Sequence, residues 1–214
     1  MVELRELQEA LFRGDVSKVN ELTQIALKER IDPKEILEQG LIKGMDVVGI
    51  KFKNNEIFLP EVLLASRAMY GGMELLQPKL IKSGVKAVGK IIIGTAKGDL
   101  HDIGKNLVAM MLKGGGFEVV DLGIDVSPEK FLKAAQEHTP DIVSISALLT
   151  TTMSSMMDVI TALERADLRD KVKVMIGGAP VTQEFADEIG VEGYAPDAAS
   201  AVDKARELVK NSRR

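Results

Sequence analysis

The stretch VGKIIIGTAKGDLHDIGKN, residues 88–106, contains the pattern from which the fold of this chain is predicted. It begins with a short apolar run, passes through a loop of small and charged residues, and becomes helical in pattern near residue 103. The same order recurs downstream, where further Val- and Ile-rich runs alternate with helical patterns. The apolar runs are residues 88–94, 117–122, 141–146, 172–177 and 191–195, and the helical patterns are 103–114, 128–138, 152–167, 181–189 and a last one from about 197.

This alternation of strand and helix predicts a parallel sheet with helices on both faces. We therefore expect an α/β domain over residues 84–214, with a Rossmann-like (flavodoxin-like) five-stranded parallel sheet. Sheets of this kind bind ligands beyond the carboxyl ends of their strands. The loops that follow the strands are therefore the first place to look for a functional site.

The N-terminal part, residues 1–83, has a helical rhythm throughout and predicts a four-helix bundle. Asp32-Pro33-Lys34-Glu35 is typical of a helix start, because Asp caps a helix well and Pro suits its first position. Pro60 opens a long apolar helix. Residues 81–87 read as the linker between the two domains, which we place at 1–83 and 84–214.

The composition excludes several classes of function. The net charge of −4 and the low aromatic content of 4% argue against a nucleic-acid-binding protein. No stretch has the length and apolarity of a membrane helix, so no membrane association is expected. The chain has no cysteine, which rules out disulfides and thiolate metal sites and favours the cytoplasm.

The sharpest local feature is Asp99-x-His101, in the loop after the first strand. A carboxylate two residues away can hydrogen-bond one ring nitrogen of the histidine and leave the other free to bind a metal. A single histidine is not enough for zinc, which needs three or four protein ligands. A cofactor that brings its own equatorial ligands fits better, and both haem and a corrinoid qualify.

A wider pattern resembles the cobalamin-binding signature of methionine synthase and the corrinoid proteins. Asp99-x-His101-x-x-Gly104 is followed, after 41 residues (105 to 145), by Ser146-Ala147-Leu148, and after 28 more (149 to 176) by Gly177-Gly178. Three parts in order on three strand ends are far more specific than the first part alone. In the N-terminal half, residues 60–65 and 69–73 resemble the helical cap of corrinoid proteins that serve methylamine, methanol and aryl-ether methyltransferases.

The resemblance implies that the chain binds cobalamin with the cofactor's own base displaced and His101 as the lower axial ligand of cobalt. It also implies a relay of Asp99, His101 and Thr152, in which Thr152 stands where the methionine synthase relatives have serine. The displaced nucleotide tail would enter a channel beside the sheet. The cofactor-binding residues would be Gly94, Asp99, His101, Asp102, Ile103, Gly104, Ser146, Leu148, Thr150, Gly177, Gly178 and Tyr194.

The function implied by the resemblance is that of a methyl carrier with no catalytic activity of its own. It would pass a methyl group from a substrate-specific methyltransferase to a second methyltransferase, whose acceptor is tetrahydrofolate or a thiol, and a reductive activase could also bind it. The alternatives are the cobalamin-binding subunit of a mutase and a cobalamin-dependent sensor. The mutase needs a substrate barrel, for which 214 residues leave no room, and the sensor needs a basic DNA-binding domain that is not evident.

Overall fold

The computed structural model describes residues 3–212, which form two compact units. The helical unit comprises residues 3–87 together with 114–116, and the sheet unit comprises residues 88–113 and 117–212. Among the helices of these residues, none combines the length and the apolarity needed to cross a membrane.

The helical unit contains the four helical stretches that the sequence predicts. Asp15 and Asp32 cap the second and third stretches, each accepting a hydrogen bond at 2.9 Å from a backbone N–H of the first turn. Leu residues at helical spacing, such as Leu7 and Leu11, are fully buried between the helices. The elements are α1 (Leu4–Phe12), α2 (Val16–Lys28), α3 (Pro33–Glu35), a π-helical segment (Ile36–Ile42), α4 (Lys43–Lys53) and α5 (Leu59–Ser83).

The π-helical segment is a feature that the periodicity did not predict. At Gly40 the chain runs so close to α1 that a Cβ atom would lie 2.6 Å from a methyl group of Leu7. The Gln8 side chain donates a 2.6 Å hydrogen bond to the Gln39 carbonyl within this segment. Contacts with α1 of this kind are tertiary, so a helical pattern read from the local sequence alone does not contain them.

The sheet unit is a five-stranded parallel sheet with strand order β2-β1-β3-β4-β5, which confirms the predicted architecture. The strand ends differ from the predicted runs by at most two residues, the usual uncertainty of such boundaries. The strands are β1 (Lys90–Thr95), β2 (Glu118–Asp121), β3 (Ile142–Ser146), β4 (Lys173–Gly177) and β5 (Gly193–Ala195); the helices are α6 (Ile103–Gly114), α7 (Pro128–His138), α8 (Ser154–Arg165), α9 (Gln183–Glu188) and α10 (Ala198–Ser212).

The two faces of the sheet are covered in different ways. Successive residues of a strand point to opposite faces. One face carries a continuous apolar core, in which Ile92, Val143 and Val174 pack with residues of α7, α8 and α9. The other face bears Ile93, Ser144, Met175 and their neighbours, and there the sheet, α6 and α10 enclose a cavity.

Candidate functional site

The candidate site lies where the strand order reverses. β1 is flanked by β2 and β3, and the chain leaves β1 and β3 toward opposite directions along the sheet. In open parallel sheets a crevice forms at such a point, beyond the carboxyl ends of the two strands. The loop after β1 carries Asp99 and His101, and the loop after β3 carries Leu148 and Leu149. The topology therefore brings the two sequence motifs together.

Asp99 is the centre of this site. Its side chain is fully buried, and one carboxylate oxygen accepts hydrogen bonds from the backbone N–H of His101 at 3.1 Å and from its ring Nδ1 at 2.7 Å. The other oxygen accepts from the backbone N–H groups of Leu148 at 2.7 Å and Leu149 at 3.2 Å. The buried Thr152 hydroxyl lies 2.8 Å from the same oxygen. The carboxylate thus ties both loops to each other.

These hydrogen bonds set the charge of Asp99. Burial works against the charged form, but the N–H of Leu148, the ring and backbone of His101 and the hydroxyl of Thr152 together outweigh it. They hold the pKa of Asp99 well below its usual range. Thr152 Oγ1 is also 2.8 Å from the Leu149 carbonyl. Its single proton goes preferentially to Asp99, because a carboxylate is the stronger acceptor.

The charged Asp99 in turn fixes the state of the His101 ring. A carboxylate only accepts hydrogen bonds, so Nδ1 of His101 must be the donor. In the neutral ring the lone pair is then on Nε2, which is the nitrogen left without a carboxylate partner. The His101 side chain is 50% exposed. The site therefore offers Nε2 of His101 as a possible metal ligand. The buried Asp99 fixes the tautomer and the orientation of the ring.

The backbone around His101 is held as firmly as its ring. The Thr95 hydroxyl donates to the His101 carbonyl at 3.0 Å, and the Asp125 N–H donates to the Asp99 carbonyl at 3.0 Å. The Asp125 carboxylate accepts from the N–H of Gly98 at 2.7 Å. Sequence reasoning missed Thr95 and Asp125 as supporting residues. Strand alternation could have found Thr95, whereas Asp125 follows β2 and becomes a neighbour only through the fold.

A buried lysine was also missed. The Lys105 ammonium is 2% exposed and donates to Asp121 on β2 at 2.5 Å and to Asn106 at 2.7 Å. The Asn106 amide donates to Asp102 at 3.1 Å. Burial raises and the hydrogen bond from Lys105 lowers the pKa of Asp121, and the net direction is downward. The signal in the sequence was a lysine at an apolar position of α6, directly after Gly104.

The cavity beside the site has a volume of about 560 Å³ and is lined by residues of the sheet, α6 and α10. Its floor consists of two rows across the sheet. The deeper row is Ile93, Ser144 and Met175, and the row nearer the carboxyl ends includes Ser146 and Gly177. The predicted binding residues that line this cavity are His101, Asp102, Ile103, Gly104, Ser146, Leu148, Gly177 and Gly178.

Four predicted binding residues do not line the cavity. Asp99 is buried behind His101, and Thr150 is exposed in a short helical turn, Thr150–Thr152. Gly94 points to the other face, where a Cβ atom would lie 2.8 Å from the Phe131 ring. Tyr194 packs against the apolar core of that same face. The spacing of the motif did not show which face of the sheet each of these residues occupies.

Two positions in the cavity wall are glycine for different reasons. Gly178 has φ of 135°, and a Cβ atom there would lie 1.8 Å from the Ala147 carbonyl oxygen, so the fold itself requires glycine. At Gly104 such a Cβ atom would have nothing within 4 Å beyond its chain neighbours and the adjacent backbone of its own helix. The missing side chain at Gly104 therefore leaves open space at the cavity, next to His101, that the protein does not use.

In this site, Nε2 of His101 is the protein atom placed to bind a metal. Within residues 3–212 no group of three or more His, Asp or Glu residues is placed to bind a metal ion. A bare ion would have too few ligands. A metal that arrives inside a large chelating ring needs one axial nitrogen from the protein, and His101 Nε2 meets that need.

Comparison with known proteins identifies the family. Two family models, both described as a B12 binding domain, match residues 89–203 and residues 3–77. The chain is 43% identical over 209 residues to a corrinoid protein of Desulfitobacterium hafniense (strain Y51), covering 96% of this chain and 97% of the relative. The chain belongs to the corrinoid proteins. Among the relatives of this corrinoid protein is dimethylamine corrinoid protein 3 of Methanosarcina acetivorans, at 45% identity over 96% of each chain.

Solved structures support the same conclusion for the fold of the corrinoid protein. A chain of the methanol:cobalamin methyltransferase complex MtaBC from Methanosarcina barkeri matches with a TM-score of 0.83 and 34% identity, over 95% of this chain and 78% of that chain. A cobalamin-binding protein from Desulfitobacterium hafniense DCB-2 matches with a TM-score of 0.81 and 31% identity, over 97% of this chain and 99% of that chain.

The residues of this corrinoid protein fit the cobalamin that its family binds. Cobalt in a corrin ring has its equatorial ligands already, so a single histidine with a fixed tautomer is a sufficient protein ligand. The open space at Gly104 adjoins that histidine along the cavity wall. The cavity has the volume of a site for a medium-sized organic group. Cobalamin is therefore the cofactor expected from the family and from the donor set alike.

Proposed function

We propose that this corrinoid protein is a methyl carrier without catalytic activity of its own, which holds cobalamin through His101 with the cofactor's own base displaced. The observation that carries the proposal is the fixed His101 ring, whose Nδ1 is bound to the buried Asp99 at 2.7 Å while Nε2 has no carboxylate partner among residues 3–212. When bound, cobalamin supplies a cobalt centre that can take up a methyl group and give it away.

The protein would use its own residues in distinct roles. His101 would bind cobalt through Nε2, and Asp99 would hold the ring in the tautomer that makes this possible. Thr152 would position Asp99 through its 2.8 Å hydrogen bond. Ser146, Gly177 and the other cavity residues would accommodate the displaced nucleotide tail in the space of about 560 Å³.

The Asp99–His101 pair would also manage a proton. When the Nε2 lone pair is not engaged, the ring can take up a proton at Nε2 and become an imidazolium. Asp99 accepts the Nδ1 hydrogen bond across the 2.7 Å contact whether Nε2 is bound to cobalt or to a proton. Binding and release of the histidine would thus be coupled to release and uptake of a proton.

The histidine assignment is tested by EPR of the cobalt(II) form with protein labelled uniformly with nitrogen-15 and unlabelled cobalamin. If His101 binds cobalt, the label changes the multiplicity of the axial nitrogen splitting, and His101→Ala abolishes the protein-derived splitting. His138→Ala is the matched control, because His138 is the other histidine of the chain and lies at the end of α7. A splitting that the label does not alter would mean that the cofactor's own base remains bound.

Partner proteins belong to the proposal as well. Relatives are named as dimethylamine and trimethylamine corrinoid proteins, and one similar chain belongs to a methanol:cobalamin methyltransferase complex. We propose a substrate-specific methyltransferase as donor partner, a second methyltransferase that passes the methyl group to tetrahydrofolate or a thiol, and a reductive activase. Transfer of labelled methyl groups from methylamines and from methanol, each with its methyltransferase, distinguishes the donors, and transfer without any methyltransferase would contradict the carrier role.

A further inference from the structure

The inner row of the cavity floor contains a hydroxyl group, that of Ser144. Ser144 is 5% exposed and lies in the inner row of the floor, between Ile93 and Met175, which are each 1% exposed. Two residues of a parallel strand span roughly 7 Å, so Ser144 lies about that much deeper than Ser146. The two neighbours of Ser144 in this row are apolar, and the row continues on β2 with Asp121, which is bound to Lys105, another residue of the cavity lining.

Within residues 3–212 no protein group forms a hydrogen bond with the Ser144 hydroxyl. The hydroxyl oxygen is not sealed inside the protein, because part of its surface is open to the cavity. Strand alternation directs the Ser144 side chain to the cavity face of the sheet, and Ser144 is among the residues lining the cavity. The hydroxyl is therefore available to whatever group reaches the inner end.

We propose that Ser144 selects among corrinoids by the chemistry of their lower base, favouring a base that carries a hydrogen-bonding group on its outer edge. The inference rests on the proposed function, in which the nucleotide tail enters the cavity and the base is its terminal group. On the floor of the cavity the hydroxyl lies between the apolar side chains of Ile93 and Met175, a setting that suits an aromatic ring with one polar substituent. A base with an apolar edge leaves the hydroxyl unpaired, which is how a site built for a hydroxyl rejects an analogue without one.

The test compares two cobamides that differ by one hydroxyl group, 5-hydroxybenzimidazolyl cobamide and benzimidazolyl cobamide. Dissociation constants are measured by titration of the cofactor-free full chain. One neutral hydrogen bond predicts that the wild type binds the hydroxylated cobamide about two- to tenfold tighter. In Ser144→Ala this preference should disappear. In the matched control Ser146→Ala, one row nearer the carboxyl ends, both cobamides should weaken alike and the preference should remain.

Two further measurements distinguish failure of the Ser144 proposal from failure of the proposed function. Ser144→Ala should keep the thermal midpoint of the cofactor-free protein, because no protein hydrogen bond is lost. Cobinamide, which lacks the nucleotide tail, reports on the proposed function. If wild type binds cobinamide as tightly as the cobamides, the tail does not enter the cavity and the base-displaced mode is wrong. If the cobamides bind more tightly than cobinamide but Ser144→Ala retains the wild-type preference, the role of Ser144 alone is overturned.

Discussion

Gly104 and Gly178 both border the cavity, but only one of them is required by the protein. At Gly178 the φ of 135° and the nearby Ala147 carbonyl exclude any side chain. At Gly104 the backbone is helical and the space is open. A glycine in a helix that lacks a packing reason is unfavourable by about 0.5–1 kcal/mol relative to alanine. Gly104 therefore points to a requirement of the ligand.

Gly104→Ala should separate stability from cofactor binding. We expect the cofactor-free protein to unfold at an equal or higher urea concentration, because alanine is the better helix residue. Cobalamin should bind about five- to 150-fold more weakly, since an added methyl group in a filled site costs about 1–3 kcal/mol. Urea unfolding and cofactor titration measure the two effects.

Gly178→Ala is the contrasting control for that experiment. Its strained backbone and its clash with the Ala147 carbonyl should lower the stability of the cofactor-free protein by more than about 2 kcal/mol. Should Gly104→Ala lose stability while retaining cobalamin affinity, the open space at Gly104 would have no function in binding.

At the scale of elements, α6 is joined to β2 by an ion pair between a buried lysine and a partly exposed aspartate. Lys105 on α6 reaches Asp121 at the end of β2, and the Asp121 carboxylate also accepts from the Gly123 N–H at 2.9 Å. The helix that begins two residues after His101 is thereby held to the strand next to β1.

Lys105→Met should reduce the free energy of unfolding by about 1–3 kcal/mol, because it leaves the partly buried Asp121 without its cation. Urea unfolding of the cofactor-free protein measures the loss. The double variant Lys105→Met/Asp121→Asn should recover part of it, since the stranded charge is removed. Lys133→Met, an exposed position on α7 away from Asp121, should change stability by less than about 0.5 kcal/mol. Equal effects at both lysines would contradict the role of the pair.

At the scale of the whole molecule, the sheet unit contains a second network of hydrogen bonds and ion pairs, which lies at the other end of the strands from the site. Glu192, before β5, accepts from Arg169 at 3.0 Å and 3.1 Å, from Lys173 at 3.2 Å and from the N–H of Val174 at 3.1 Å. These residues lie at the amino ends of β4 and β5, whereas the cavity opens at the carboxyl ends. Substitutions in this network should affect stability and leave cofactor affinity unchanged.

Glu192 gives a prediction for the pH dependence of stability. Burial raises its pKa, but the hydrogen bonds from Arg169 and Val174 outweigh burial, so the pKa is lowered from 4.5. A lowered folded-state pKa contributes stability that is present above about pH 4.5 and is lost as the pH falls further. Glu192→Gln should cost about 1 kcal/mol at neutral pH, and its difference from wild type should shrink below pH 4.5. Denaturant unfolding across this pH range checks it, and a difference that grows in acid would contradict it.

Much of this molecule could be predicted from the sequence because its signals are local. Strand runs, caps such as Asp32 and the Asp99-x-His101 spacing are short-range patterns, and they predicted the elements and the sheet. Other features depend on contacts between residues far apart in the chain. They are the face of the sheet on which Gly94 and Tyr194 lie, the ion pair of Lys105 and the π-helical segment. Ser144 is intermediate, since strand alternation relates it to Ser146, but only the folded structure shows that its hydroxyl faces the cavity without a hydrogen-bond partner among residues 3–212.

The buried carboxylate of Asp99 has one more consequence, for the entropy of cofactor binding. All five of its hydrogen bonds come from the chain itself, so the two loops at the site are ordered by folding and not by the ligand. A loop that is ordered only on binding subtracts its conformational entropy from the affinity. In this protein the two loops are already ordered by folding. Cofactor binding therefore loses little affinity to loop ordering, and the ligand nitrogen is preorganised.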